Sequence, residues 1–244
     1  SFNPIYGEKA LQRSRFLEVA QMIRAVAANS TGKQSGSPFW EISAFNLMKN
    51  ALVYCAATKE YYTLRDLYEA LTRAAKGELF ADLIKIKKEN AEKTSQLGIK
   101  SKQLLELVAA DSTSQQLLQD MKALSKEVKQ LEATVFIPEE IYNIDCAIEY
   151  FQNEYRQLDD KVRTGILATS TSFLNQFQEF RAAQIFCPTK ENLTIRSMDE
   201  LVDSGRIIMF DITTPALAKS MGTFIKLHYQ QALLNRLSNP ERDK

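Results

Sequence analysis

Catalysis needs groups that titrate, ligate or attack, and this chain offers few of them in useful patterns. Its single histidine, His228, lies among apolar residues of helical spacing, with no cysteine or histidine at ligand spacing, so a structural role is expected. Cys55, Cys146 and Cys187 are far apart and lack metal spacing, which suits a reducing, cytosolic setting. Gly32-Lys33 invites a phosphate-loop reading that its surroundings reject. Ala27 stands where the first glycine belongs, Gln34 where Ser or Thr belongs, and a helix rather than a strand comes before. Asp211 ends an apolar run, the place where α/β sheets put functional acids, but the sequence shows no partner for it. No Ser-His-Asp, paired-carboxylate or Cys-His arrangement can be read from spacing. The expectation is that this chain holds no catalytic, metal or cofactor site of its own. Its most basic stretch carries Lys85, Lys87, Lys88, Lys93, Lys100 and Lys102. These are either a solvated helix face or a contact for nucleic acid or an acidic partner.

The apolar run itself organises the reading. Ser204-Gly205 is a turn pair, Arg206 to Ile212 is apolar on both faces up to Asp211, and Thr213-Thr214-Pro215 opens a helix. Such a run predicts a strand buried on both sides, as in a parallel sheet. It is the one convincing strand, and a lone buried strand leaves its backbone N–H and C=O groups without partners. The expectation is an excised piece of a larger protein that supplies the rest of the sheet and the chemistry. Ser1-Phe2-Asn3-Pro4 likewise reads as an internal boundary rather than a natural start.

Everything else points to helices. With 244 residues, 45% hydrophobic and only 8 Gly and 6 Pro, the chain can bury a core and favours long helices over turns. A net charge of +1 predicts no general attraction to nucleic acid or membranes, local patches aside. No apolar run reaches the ~20 residues that span a bilayer, and no signal peptide is evident. Residues 2–7 should be extended, because Asn3 precedes a proline. Helical spacing predicts a helix over about 8–28, a flexible loop over 29–37, and a central core helix opened by Ser37-Pro38. Trp40, on that helix, is expected to be a packing anchor. Thr63 should cap a third helix with Asp66 as the acidic member of the box. Further helices are expected from Pro138 to about Leu158, from about Asp159 to Phe180, and after Pro215. The run Ala168 to Ser172, all small residues, should permit close helix approach. Ser197 to Glu200 forms another capping box within a short connector over 193–202.

Residues 79–136 differ in character. Leu79, Leu83, Ile86, Leu97, Leu104 and Leu107 follow a 4-3 register interrupted by Asn90, Lys93 and Lys100. Leu117, Met121, Leu124, Val128, Leu131 and Val135 form a cleaner heptad seam of nearly three repeats. Breaks are expected at Gly98 and at Asp111-Ser112-Thr113-Ser114, with Ser112 and Gln115 as a capping box. The prediction is an antiparallel helical hairpin or small bundle projecting from the main body.

Several segments together resemble one family, the hexameric coupling-protein ATPases of type IV secretion and bacterial conjugation. They are Phe2-Asn3-Pro4, Ser37-Pro38-Phe39-Trp40 followed by Ala44, Asp160 to Thr169 leading to Leu174, and Asp203 to Ile212. The resemblance implies an all-α domain inserted in a RecA-like nucleotide-binding domain, between Walker A and Walker B. Residues 1–7 and 204–244 would be flanks of the nucleotide-binding domain, and 8–203 the all-α domain with 79–136 as an inserted hairpin. The expected fold class is mainly α: a multi-helix domain with a projecting hairpin, one orphan strand, and a C-terminal helix of RecA-like origin. The parent would be a homohexamer using ATP and Mg, while this part would hold no cofactor and hydrolyse nothing. The domain would face the cytosol at the mouth of the ring and bind DNA, relaxase-type proteins or effector proteins, alongside other secretion components. The resemblance leaves open whether the parent is anchored in the inner membrane. Within that architecture Arg163 joins the six lysines as a candidate nucleic-acid or partner contact. Thr164-Gly165 departs from the small hydroxyl residues expected there. A rival expectation from another class is a helical scaffold or adaptor that docks a partner through its coiled hairpin.

Overall fold

A helix that is apolar nearly all round must be surrounded, and the one that begins at Pro38 is. The structure is a computed structural model describing residues 1–5, 16–31, 38–109, 115–205, 207, 209 and 215–237. In chain order its α-helices are α1 (Phe16–Thr31), α2 (Pro38–Thr58), α3 (Leu64–Ala75), α4 (Glu78–Ala109), α5 (Gln115–Glu132), α6 (Pro138–Glu149) and α7 (Asp160–Ser172). They are followed by α8 (Phe180–Phe186), α9 (Met198–Ser204) and α10 (Pro215–Leu237). Helices α1, α3, α6 and α7 pack around α2, whose Leu47, Ala51 and Leu52 have almost no accessible surface. Helix α10 lies against α1 and α9 and adds Met221 and Phe224 to the same core. The fold is mainly α, as the periodicity predicts.

The N-terminal residues are extended and tied into this body. The Phe2 amide donates to the Ile185 carbonyl at 2.8 Å, and Phe2 forms a parallel bridge with Ile195. Asn3 is buried, its amide nitrogen donating to the Tyr62 carbonyl at 2.8 Å. Phe2 and Ile5 therefore share one cluster with Met221, Phe224 and Ala232 of α10 and with the central helices.

Local chemistry sets several helix ends. The Thr63 backbone N–H and hydroxyl both donate to one Asp66 carboxylate oxygen, at 2.7 and 2.9 Å, which is the acidic half of the expected box. Burial works to raise the Asp66 carboxyl, but hydrogen bonds from Lys59 and Thr63 outweigh it and hold it below the usual carboxylate range. Ser197 accepts from the Glu200 amide at 3.1 Å and so starts α9 inside the expected connector. That helix ends at Gly205, whose φ of 61° is the left-handed geometry glycine adopts without strain.

The structure corrects the sequence reading in four places. Asn29 to Thr31, expected in a loop, continue α1, while residues 32–37 lie outside the described residues. The helix predicted to run through Leu158 instead ends in a π-turn at Tyr150–Glu154 and a 3-10 turn at Tyr155–Gln157. The one predicted over 159–180 stops at Ser172 and passes through a 3-10 segment at Leu174–Gln178 before α8. The hydroxyls of Thr169, Ser170, Thr171 and Ser172 donate to carbonyls three or four residues back, competing with the helical ladder where it ends. Finally, Gly98 does not break the hairpin's first helix: α4 continues through it to Ala109.

Nothing lies within 4 Å of a Cβ built on Gly98, so open space surrounds it. Gly98→Ala should therefore stabilise the chain by about 1 kcal/mol through helix propensity alone. Chemical denaturation should show the gain; a loss would mean that the helix bends there in solution.

The predicted strand falls mainly outside the described residues, which omit Arg206, Ile208, Phe210, Asp211 and Ile212. Ile207 and Met209 are described, lack regular structure and are more than nine-tenths exposed. No strand occurs among the described residues, so the expected RecA-like sheet has no counterpart among them.

Candidate functional site

The hairpin of α4 and α5 buries little beyond its root: among its described residues only Leu79, Leu83, Asn90 and Val128 are buried. Its root is well anchored: Leu79 and Leu83 of α4 are fully buried against the core. Arg73 of α3 donates to Glu78 and Asp82, each at 2.8 Å, and to the Tyr54 hydroxyl. Tyr54 in turn donates to Asp82 at 2.9 Å, while the guanidinium sits 5.6 Å from the centre of its ring. These contacts join α2, α3 and the start of α4.

Burial, and then the hydrogen bond to Asp82, pushes the Tyr54 phenol from 10.0 up to about 12. A group whose pKa is raised in the folded state stabilises that state fully below its unfolded pKa. The Tyr54 contribution should thus be complete below pH 10 and disappear as the pH rises toward 12. Thermal melting across that window should show a steeper loss for the wild type than for Tyr54→Phe. Parallel curves would remove the phenol from the account.

Beyond the root, α5 packs along α4 as the heptad seam predicts. Leu117, Met121, Leu124, Leu131 and Val135 are half-buried and Val128 is buried. Asn90, expected as a polar interruption, is buried at 7% exposure. Its side-chain oxygen accepts the Phe136 amide at 2.9 Å, tying the segment that follows α5 back to α4. Residues 110–114, with the predicted Ser112 cap, lie outside the described residues.

The structure does not gather the predicted basic residues into one face. At about 100° per residue, Lys85, Lys87, Lys88, Lys93, Lys100 and Lys102 spread around α4. Several are already paired: Lys87 with Asp145 at 2.6 Å, Lys85 with Glu89 at 3.8 Å, and Lys100 with Glu127 across the hairpin. Arg163 lies on α7, on the body, paired with Asp160 one turn earlier. It borders a cleft of about 370 Å³ that also touches Lys76, Arg156 and Tyr155. Lys88, Lys93 and Lys102 have no ion-pair partner among the described residues.

A different lysine series does form a stripe. Lys122, Lys126 and Lys129 fall at i, i+4 and i+7 on α5, along one wall of a groove of about 810 Å³. The apolar part of the groove is lined by Leu104 and Val108 of α4 and Leu118 and Met121 of α5. The sequence reading passed over these lysines because they interleave with the seam. Their spacing was the available signal.

Chemistry finds little purchase elsewhere. His228 sits edge-on to Phe224 at 4.8 Å and to Phe2 at 6.0 Å, within an aromatic chain that continues through Phe173 and Phe177 to Phe186. Burial pushes the thiols of Cys55 and Cys187 up, which leaves little thiolate at neutral pH. Among the described residues no group of His, Cys, Asp and Glu is placed to hold a metal, and no helix is long and apolar enough to cross a membrane. Asp211 lies outside them.

Two of the four segments named for their resemblance, the one around Trp40 and the one around Gly165, meet on the body. Trp40 of α2 lies over Gly165 of α7, where an added Cβ would stand 2.7 Å from the indole ring. One turn further along each helix, the Ser170 hydroxyl is 3.4 Å from the Ala44 carbonyl, 126 residues away in sequence. Comparison of the chain with protein-family models, curated proteins and solved structures returned no match.

Proposed function

We propose that this chain is the substrate-recognition all-α domain of a hexameric coupling ATPase of the type IV secretion and conjugation class. It works by binding and relaying, with ATP and Mg handled by the nucleotide-binding part of the parent. The observation that carries this reading is the contact of Trp40 and Ala44 with Gly165 and Ser170. Two segments chosen only for their likeness to one family are packing partners although 126 residues separate Ala44 from Ser170, as pieces of one domain should be. The scatter of cations around α4 favours a protein substrate, of relaxase or effector type, over a nucleic-acid backbone, which needs a continuous basic track.

The coding sequence beyond Lys244 provides a direct test. It should continue into a hydrophobic strand closing on Asp-Glu, and a Walker A motif should precede Ser1. A frame without either motif ends this reading, as does ATP turnover by the purified chain.

The hairpin supports a second reading, a docking element for a partner helix. It is favoured by the apolar groove between α4 and α5, a surface that the two helices leave uncovered.

A further inference from the structure

A two-helix hairpin has only one seam in which to bury apolar side chains, and this one carries more than its seam holds. Val108 and Leu118 line the groove near the hairpin tip yet remain 55% and 49% exposed, and Leu105 beside them is 69% exposed. Such a surface is completed by a third helix laid along the groove. From Leu118 to Gln130 the groove follows α5 for about 18 Å, at 1.5 Å per residue, room for about three helical turns.

The rim identifies the occupant. Lys122, Lys126 and Lys129 are exposed, run along one wall, and have no ion-pair partner among the described residues. Their stems add apolar surface to the wall while the ammonium groups stand at its edge. No carboxylate among the described residues lines the groove: Glu127 is engaged by Lys100, and Glu106, Asp120 and Glu132 lie outside the lining. A second copy of this chain, laid groove to groove, would bring two lysine rims together at a cost in repulsion. A helix flanked by Asp or Glu would instead meet each lysine with an opposite charge at the same one-turn spacing.

We infer that the groove between α4 and α5 binds an acidic amphipathic helix of another protein, with an apolar stripe on Leu104, Val108, Leu118 and Met121 and carboxylates on Lys122, Lys126 and Lys129. This rests on the reading of the hairpin as a docking element and specifies its partner.

The test uses the whole chain and a labelled peptide of about 18 residues, with leucine on one helical stripe and glutamate beside it, followed by fluorescence anisotropy. A twin peptide carries lysine at every glutamate position. The acidic peptide should bind, gain helicity and weaken as salt rises, and the basic twin should bind about tenfold more weakly or less. The triple variant Lys122→Glu, Lys126→Glu, Lys129→Glu changes only exposed positions and should keep the wild-type circular dichroism. It should reverse the preference between the twins. Equal binding of both peptides would leave the docking reading standing and overturn the acidic partner. Binding of neither peptide overturns both. So does self-association of the free chain that Leu118→Asp abolishes, which would make a second copy the occupant. Binding of a single-stranded oligonucleotide in place of the peptides, lost in the triple variant, would overturn the inference in favour of nucleic acid.

Discussion

Gly165→Leu should destabilise this chain by about 2–3 kcal/mol and move the emission maximum of its fluorescence, because the new side chain occupies the space of the Trp40 ring. A Cβ alone would stand 2.7 Å from one indole carbon and 3.0 Å from another, closer than side-chain atoms tolerate. The ring is rigid, so either it leaves α7 or the two helices move apart. Gly165→Ala separates the two opposing effects. It gains about 1 kcal/mol of helix propensity and meets the same first clash, so its net loss should be smaller than that of leucine. Trp40 is the only tryptophan, so tryptophan emission reports on the surroundings of this one ring, Gly165 and Phe39 among them. Unchanged emission and stability in the leucine variant would show that the ring does not rest on α7 in solution. The contact also accounts for glycine at position 165. Serine carries the same Cβ and would meet the same ring.

Asn90→Leu should destabilise the hairpin by about 2 kcal/mol, although it replaces a buried amide with a side chain that suits a heptad seam. Exchanging a lone polar seam residue for leucine ordinarily raises coiled-coil stability at the expense of register. Here the Asn90 oxygen is the acceptor for the Phe136 amide, and removing it leaves a part-buried N–H without a partner. Hydrogen exchange at Phe136 should accelerate in the variant, and chemical denaturation should give the loss. A more stable variant would reduce Asn90 to an interruption of the seam and show that the 2.9 Å bond contributes nothing net. The outcome bears on function, because Asn90 fixes how far α5 slides along α4. A one-turn slip would shift Lys122, Lys126 and Lys129 relative to Leu104 and Val108.

What the sequence determined by itself is whatever depends on neighbours three to seven residues away. The apolar circumference of α2, the α5 seam from Leu117 to Leu131, the Thr63–Asp66 cap and the Ser197–Glu200 cap are all present in the helices, whereas Val135, the last predicted seam position, falls in the turn after α5. Each follows from helical periodicity or from a side chain reaching its own backbone. Only tertiary structure decided the rest. Glycine at 98 weakens a helix by propensity, but packing of α4 along α5 outweighs that preference. Asn90 reads as a flaw in a register until the Phe136 amide, 46 residues on, is placed beside it. The lysines of α4 look like a patch when counted along the chain, yet a helix turns them to different sides and several meet carboxylates. Lys122, Lys126 and Lys129 drew no notice in sequence and became a rim only once α4 supplied the opposite wall of the groove. A surface between two helices is a property of their pairing, and neither strip of residues contains it alone.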